Sequence, residues 1–283
     1  MENLKDIVII YHSDCPDGFG AAWAAWKALG DTASYLPVLN RAEVPEGLEG
    51  KEVYTLDYSF REEQVRTHAP LAKRWVIIDH HVTNEPAVAH ATDSLFDLGH
   101  SGAALSWSYF HKEAPTPTLI KYVENADLWK FELPNAREIT QAIASAPRTF
   151  ESWNKLELLL ETKEGTEKLR AEGELMRTMN ERDIAKLAEN AEEVMFEGHR
   201  VYAVNSALSR HTSELGHVLY TKLPPMALIW SRRGKRVVVS LRSDGSVDVA
   251  KIAQKYGGGG HPQAAAFSWD ADTFVDFEKA HKS

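Results

Sequence analysis

A two-domain α/β protein, with a parallel sheet in its first domain, is predicted by three features of the 283-residue sequence. Short β-branched apolar runs alternate with helical patterns through the first 130 or so positions. A proline-free stretch rich in Glu, Lys, Leu and Ala follows, and then the strand–helix pattern restarts. We place the first domain at 1–155, a helical linker at 156–196 and a smaller α/β domain at 197–283.

The first strand lies in "DIVIIYHSD", followed by a helix over "GFGAAWAAWKALG" that Gly30 closes. "KEVYTLDYSF" is a second strand ending at Asp57, with a helix over "EEQVRTHAPLAK" after it, and "RWVIIDHH" is the third. "SGAALSWSYFHKE" and "PTLIKYVENADLW" read as helices, the second ending near Asp127. Strands alternating with helices indicate βαβ units and hence a parallel sheet. Beyond the linker, "HRVYAVN" is a strand, "SELGHVLYTKL" a helix and "MALIWSRRGKRVVVSLRS" a strand pair. "VDVAKIAQKYGGGG" is a helix ending in glycines, and "AAAFSW" is the last strand.

Hydrophobic content of 43% and charged content of 26% are those of an ordinary globular protein. No apolar run approaches the roughly 20 residues a membrane span needs. The N-terminus runs straight into a strand, so no signal peptide is expected. A single cysteine, Cys15, excludes an internal disulfide framework and fits a reducing compartment, so the cytoplasm is the expected location. The net charge of −9 argues against a protein that coats long nucleic acid. The charge is uneven: from Glu197 onward 12 basic residues face 8 acidic ones, whereas the preceding part carries 20 against 33.

All three strands of the first domain end in acids or histidines. The first supplies His12, Asp14 and Asp17, the second Asp57, and the third Asp79, His80 and His81. Asp127 follows at the end of a helical run. Ligands in open α/β sheets collect outside the carboxyl ends of the strands. Carboxylates and imidazoles without thiolates suit Mn²⁺ and similar ions. Two such ions about 3.5–4 Å apart would clamp the oxygens of a phosphoryl displacement. Cys15 has no evident activating base, which argues against a nucleophilic role.

In order and spacing, His12-Ser13-Asp14-Cys15-Pro16-Asp17-Gly18, Asp57, Asp79-His80-His81 and Asp127 resemble the four motifs of the DHH phosphoesterases. The C-terminal "SLRSDGSVDVAKIAQKYGGGGHPQAAAF" resembles the DHH-associated domain of the same proteins. The resemblance implies a bimetallic, Mn²⁺-dependent phosphodiesterase whose active site lies in the cleft between the two domains. It makes His12, Asp17, Asp57, His80 and Asp127 direct metal ligands, with Asp57 as the bridge. Asp79 is then a supporting residue that orients a ligand histidine, and His81 faces the substrate phosphate. The first motif departs from the usual His-x-x-x-Asp-x-Asp or His-x-Asp-x-Asp spacing. Either Asp14 is a ligand after a one-residue insertion, or Asp17 alone has that role. In the second domain the resemblance assigns substrate contacts to Arg242, to Gly257, Gly258, Gly259 and Gly260, and to His261. A run of four glycines also reads directly as a flexible loop whose N–H groups can approach a phosphate. Arg232, Arg233, Lys235 and Arg236 read as a solvated hairpin turn.

The expected function is hydrolysis of short nucleotides: dinucleotides, linear products of cyclic dinucleotides such as pGpG or pApA, or nanoRNA. A RecJ-type single-strand exonuclease and a catalytically silent nucleotide sensor are the alternatives. Expected partners are small nucleotides or short oligonucleotides, with neither long duplex nucleic acid nor a membrane. The sequence leaves room for a homodimer.

Overall fold

The computed structural model describes residues 4–13, 15–39 and 42–272, and the chain divides into two compact units, 1–177 and 178–283. In the first unit the chain runs β1 (Ile7–His12), α1 (Pro16–Leu29), β2 (Ala33–Val38), β3 (Glu52–Leu56), α2 (Glu62–His68), β4 (Arg74–Asp79), α3 (Glu85–Val88) and β5 (Asp93–Phe96). Five helices follow: α4 (Gly102–Phe110), α5 (Thr118–Asp127), α6 (Ala136–Ser145), α7 (Phe150–Leu160) and α8 (Lys163–Glu189). The strands form an all-parallel sheet in the order β2-β1-β3-β4-β5.

Period-two alternation divides the sheet's side chains between two cores. Ile9, Tyr11, Tyr54, Leu56, Val76 and Ile78 pack on one face with residues of α1, α4, α5, α6 and α7. Val8, Ile10, Val53, Trp75 and Ile77 pack on the other with Phe60, Val65 and Ala87. Burial on both faces is why these strands read as continuous apolar runs. Two strands gave no such signal, β2 and β5, and both are sheet edges. β2 contains Pro37, whose missing N–H is tolerated at an edge, and β5 is only four residues long and half-exposed.

The second unit contains β6 (Glu192–Phe196), β7 (His199–Asn205), α9 (Thr212–Lys222), β8 (Met226–Arg233), β9 (Arg236–Ser243), α10 (Val249–Lys255), β10 (Gly259–His261) and β11 (Ala264–Asp270). Its six-stranded sheet has the order β10-β11-β9-β8-β7-β6, with β7 and β8 parallel and the other pairs antiparallel. The stretch expected to be a linker is helical as its composition predicts, but it does not run free in solvent. Leu169 of α8 joins the first unit's core, Ile184 of α8 a core of the second, and the stretch ends in β6. The basic hairpin between β8 and β9 is exposed at Arg232, Arg233, Lys235 and Arg236. Among the described residues, no helix is long and apolar enough to cross a membrane.

Candidate metal centre

The strand order places a switch point between β1 and β3, where successive connections leave the sheet in opposite directions. In open α/β sheets that is where ligands bind. His12 ends β1, and Asp57 immediately follows β3, held in register by its amide on Ile78 O at 2.9 Å. Asp57 adopts φ 52, a left-handed conformation uncommon for a residue with a side chain and typical of functional positions. Its carboxylate is 3% exposed and lies between two sets of donors. Oδ2 is 3.3 Å from Cys15 Sγ and 3.6 Å from His12 Nδ1. Oδ1 is 3.2 Å from His80 Nε2 yet accepts no hydrogen bond of proper geometry among the described residues.

His80, fully buried, is also 3.6 Å from Asp17 Oδ2 and 3.6 Å from Asp127 Oδ2. Ligand atoms of Asp17, His80 and Asp127 all lie within 4.8 Å of one another, as do those of His12, Cys15 and Asp57. Asp17 sits in the first turn of α1 and is aimed by the start of α4. Gly102 N donates to its Oδ2 at 2.7 Å and Ala103 N to its Oδ1 at 3.0 Å. Glycine at 102 is a spatial necessity, because a Cβ there would lie 2.5 Å from Asp57 Cβ.

Asp79 ends β4 and is entirely buried with a full set of donors. Its Oδ1 accepts from His80 N at 2.7 Å, His81 N at 3.2 Å and the His81 ring Nδ1 at 2.7 Å. Its Oδ2 accepts from Asn84 Nδ2 at 2.6 Å. The family resemblance has Asp79 orienting a ligand histidine; the ring it holds here is that of His81. The cause is local: the backbone turns after β4, bringing residue 81 back over the carboxylate.

The electrostatics follow from several buried acids sharing one space. Burial, with Asp57 and Asp127, pushes the Asp17 pKa well above the usual carboxylate range. Asp127, the solvent-accessible member of the set, is raised above the usual carboxylate range by partial desolvation and by Asp57. Burial would also raise Asp57, but His12, His80 and His81 outweigh it and hold that carboxyl well below its usual value. Burial pulls His81 down, and Asp79 overcomes it, pushing the imidazole up to about 10. Burial and the neighbouring carboxylates push the Cys15 thiol well up, the opposite of what a nucleophile needs.

The metal-binding capacity of this cluster rests on its donors. Buried carboxylates face imidazoles, and Asp57 Oδ1 is a buried acceptor lacking a hydrogen bond among the described residues, a costly arrangement that a cation would relieve. His12, Asp17, Asp57, His80 and Asp127 offer donors of the kind that hold divalent cations. Asp14 lies outside the described residues. Ser101, Gly102, Asn84 and the Cys15 sulfur belong to the site although sequence reasoning passes over them. The "SGAA" start of α4, an N-cap serine followed by small residues, is the available signal for the first two.

In the second unit Arg242 lies on β9. Its Nε and Nη2 donate to Ser213 Oγ at 3.3 and 3.1 Å, and its Nη1 to Leu241 O at 2.9 Å. The glycines are not the open loop expected of them. Gly257 N and Gly258 N cap α10, donating to Gln254 O at 2.8 Å and Ala253 O at 2.7 Å. Gly259, Gly260 and His261 form β10 against β11. A Cβ at Gly258 would lie 2.1 Å from Ala266 O, so close packing against β11 requires this glycine.

Residues 205–282 match the DHHA1 domain family. The chain is 24% identical over 292 residues to uncharacterized protein R106 of Acanthamoeba polyphaga mimivirus, covering 93% of this chain and 67% of that protein. The fold is similar to the DHH domain of a member of the s1p family of ribosomal proteins, with TM-score 0.62, 15% identity and coverage of 98% and 85%. It is also similar to RecJ from Thermus thermophilus in complex with Mn²⁺, with TM-score 0.56, 16% identity and coverage of 96% of this chain and 51% of RecJ. The chain accordingly carries a match to the DHHA1 domain over residues 205–282, and its fold is similar to that of a DHH domain.

Proposed function

We propose that this protein is a metal-dependent phosphodiesterase that hydrolyses short nucleotides, such as dinucleotides and linear pGpG or pApA, to mononucleotides. One observation carries the reading. The two oxygens of Asp57 face different donor groups, His12 with Cys15 on one side and His80 with Asp17 and Asp127 beyond it on the other. A carboxylate so placed could hold an ion on each side, with His12 and Cys15 on one and His80, Asp17 and Asp127 on the other. Ions bound there would neutralise phosphate charge and supply a water acidic enough to act as a nucleophile near neutral pH. Mixed imidazole and carboxylate donors favour Mn²⁺ over Mg²⁺, which prefers an all-oxygen octahedron.

The chain's own groups supply the rest. His81 is anchored through Nδ1 on Asp79, which raises its pKa, and when protonated its Nε2–H can donate to a non-bridging phosphate oxygen as negative charge develops there. Asn84 and the amides of residues 80 and 81 fix the Asp79 carboxylate, so the imidazole does not have to reorganise during the reaction. In the second unit Arg242 is the proposed phosphate contact. Ser213 and Leu241 O hold its guanidinium in a set orientation. His261 is a further proposed substrate contact.

The test is incubation of the protein and its Asp57→Ala variant with Mn²⁺ and a panel of dinucleotides and longer oligomers, with products separated by chromatography. Mononucleotides from dinucleotides, absent in the variant, support the reading. Equal or faster release from long single strands would favour a RecJ-type exonuclease. Tight nucleotide binding without turnover of any substrate would favour a sensor.

A further inference from the structure

Sequence alone gives Cys15 no role and a donor set free of thiolates; the structure puts the sulfur inside that set. Sγ lies 3.2 Å from His12 Nδ1 and 3.3 Å from Asp57 Oδ2, and the three ligand atoms are mutually within 4.8 Å. Asp57 is the carboxylate shared between this group and His80: its other oxygen, Oδ1, lies buried on the His80 side and accepts no hydrogen bond of proper geometry among the described residues. Cys15 also caps α1, accepting from Gly18 N at 3.2 Å. Capping alone does not account for cysteine here, since Ser, Asp, Asn and Thr are the strongly preferred caps. A helix N-terminus, however, stabilises a sulfur that becomes negative.

Resting on the metal centre proposed above, we propose that Cys15 is a third ligand of the ion held by His12 and Asp57. Binding replaces the Sγ–H proton with the metal, and the proton leaves to solvent. The resulting nitrogen, sulfur and oxygen donors are softer than those of Asp17, His80 and Asp127. The two halves of the centre therefore differ: the Cys15 half prefers a thiophilic ion such as Co²⁺ or Zn²⁺, and the other half retains the Mn²⁺ preference.

Because Cys15 is the chain's single cysteine, a spectroscopic test is unambiguous. Metal-free protein is titrated with Co²⁺ and its absorption recorded, alongside Cys15→Ser, in which serine preserves the helix cap. The expected result is a near-ultraviolet sulfur-to-cobalt charge-transfer band in the wild type. In Cys15→Ser that band is absent while the visible cobalt bands remain. Competition should also show the variant losing about tenfold or more of the wild-type preference for Zn²⁺ over Mn²⁺. Stoichiometric Co²⁺ binding to the wild type without the charge-transfer band would overturn the assignment of Cys15 and leave the metal centre standing. Failure to bind Co²⁺, Zn²⁺ or Mn²⁺ at all would overturn both.

Discussion

In sequence, both the strand-end cluster of the first unit and the glycine run of the second suggest a site, and the fold treats them differently. At the carboxyl ends of β1 and β3 the backbone is satisfied by the sheet, and side chains crowd together with polar atoms left over, such as Asp57 Oδ1. In "YGGGG" much of the backbone is engaged, although β10 is an edge strand that pairs on one side with β11. The amides of Gly257 and Gly258 close a helix, and Gly259 and Gly260 build a short hairpin strand. A site needs groups that the fold does not already engage, and residue type alone does not report engagement.

Substitutions can sharpen or break this contrast. The largest effect is expected at Asp57. In Asp57→Ala both ions should be lost in metal analysis, and turnover should fall by more than the about 10–100-fold that loss of a supporting contact costs. Metal content and rate within a few-fold of wild type would remove Asp57 as the bridge.

Arg242→Ala comes next. A charge-assisted hydrogen bond to phosphate is worth about 1.5–3 kcal/mol, or roughly 10–150-fold in kcat/KM. The change should appear mainly in KM, with both metals retained, because the contact binds ground and transition states alike. Wild-type kinetics would show that the DHHA1 domain does not hold the substrate through this residue.

Asp79→Asn should cost about 10–100-fold in activity as a supporting contact is weakened. Its clearer readout is His81 in the metal-free protein, followed by NMR titration. The wild-type imidazole should titrate near pH 10, and in the variant its pKa should drop towards the ordinary histidine range. A folded pKa above the unfolded value of about 6.5 means that His81 adds stability in full below that pH. The contribution fades as pH rises through about 10, and the variant should lose that alkaline fade. An unchanged His81 titration would mean that Asp79 is not the source of its charge.

The smallest effect on activity is expected at Gly258. Gly258→Ala forces a Cβ against Ala266 O, so stability should fall by about 1–3 kcal/mol while KM stays near wild type. A large rise in KM with an unchanged melting temperature would support the substrate contact expected of the glycines.

Much of this was legible from the chain itself. Buried parallel strands must be apolar on both faces, so β1, β3 and β4 stood out, and the acids and histidines at their ends could be read off in order. Arg242 and the basic hairpin could likewise be located on adjoining strands. Edge strands carry no such requirement, which is why β2 and β5 left no trace. Tertiary structure alone decided which groups meet. It placed the sulfur of Cys15 beside His12 and Asp57, and gave Asp79 the ring of His81. It also brought the start of α4 onto Asp17, some 85 residues away in sequence. The physical reason is that patterning reports how a residue is buried, whereas ligand sets and hydrogen-bond partners depend on distances between segments that no local period encodes.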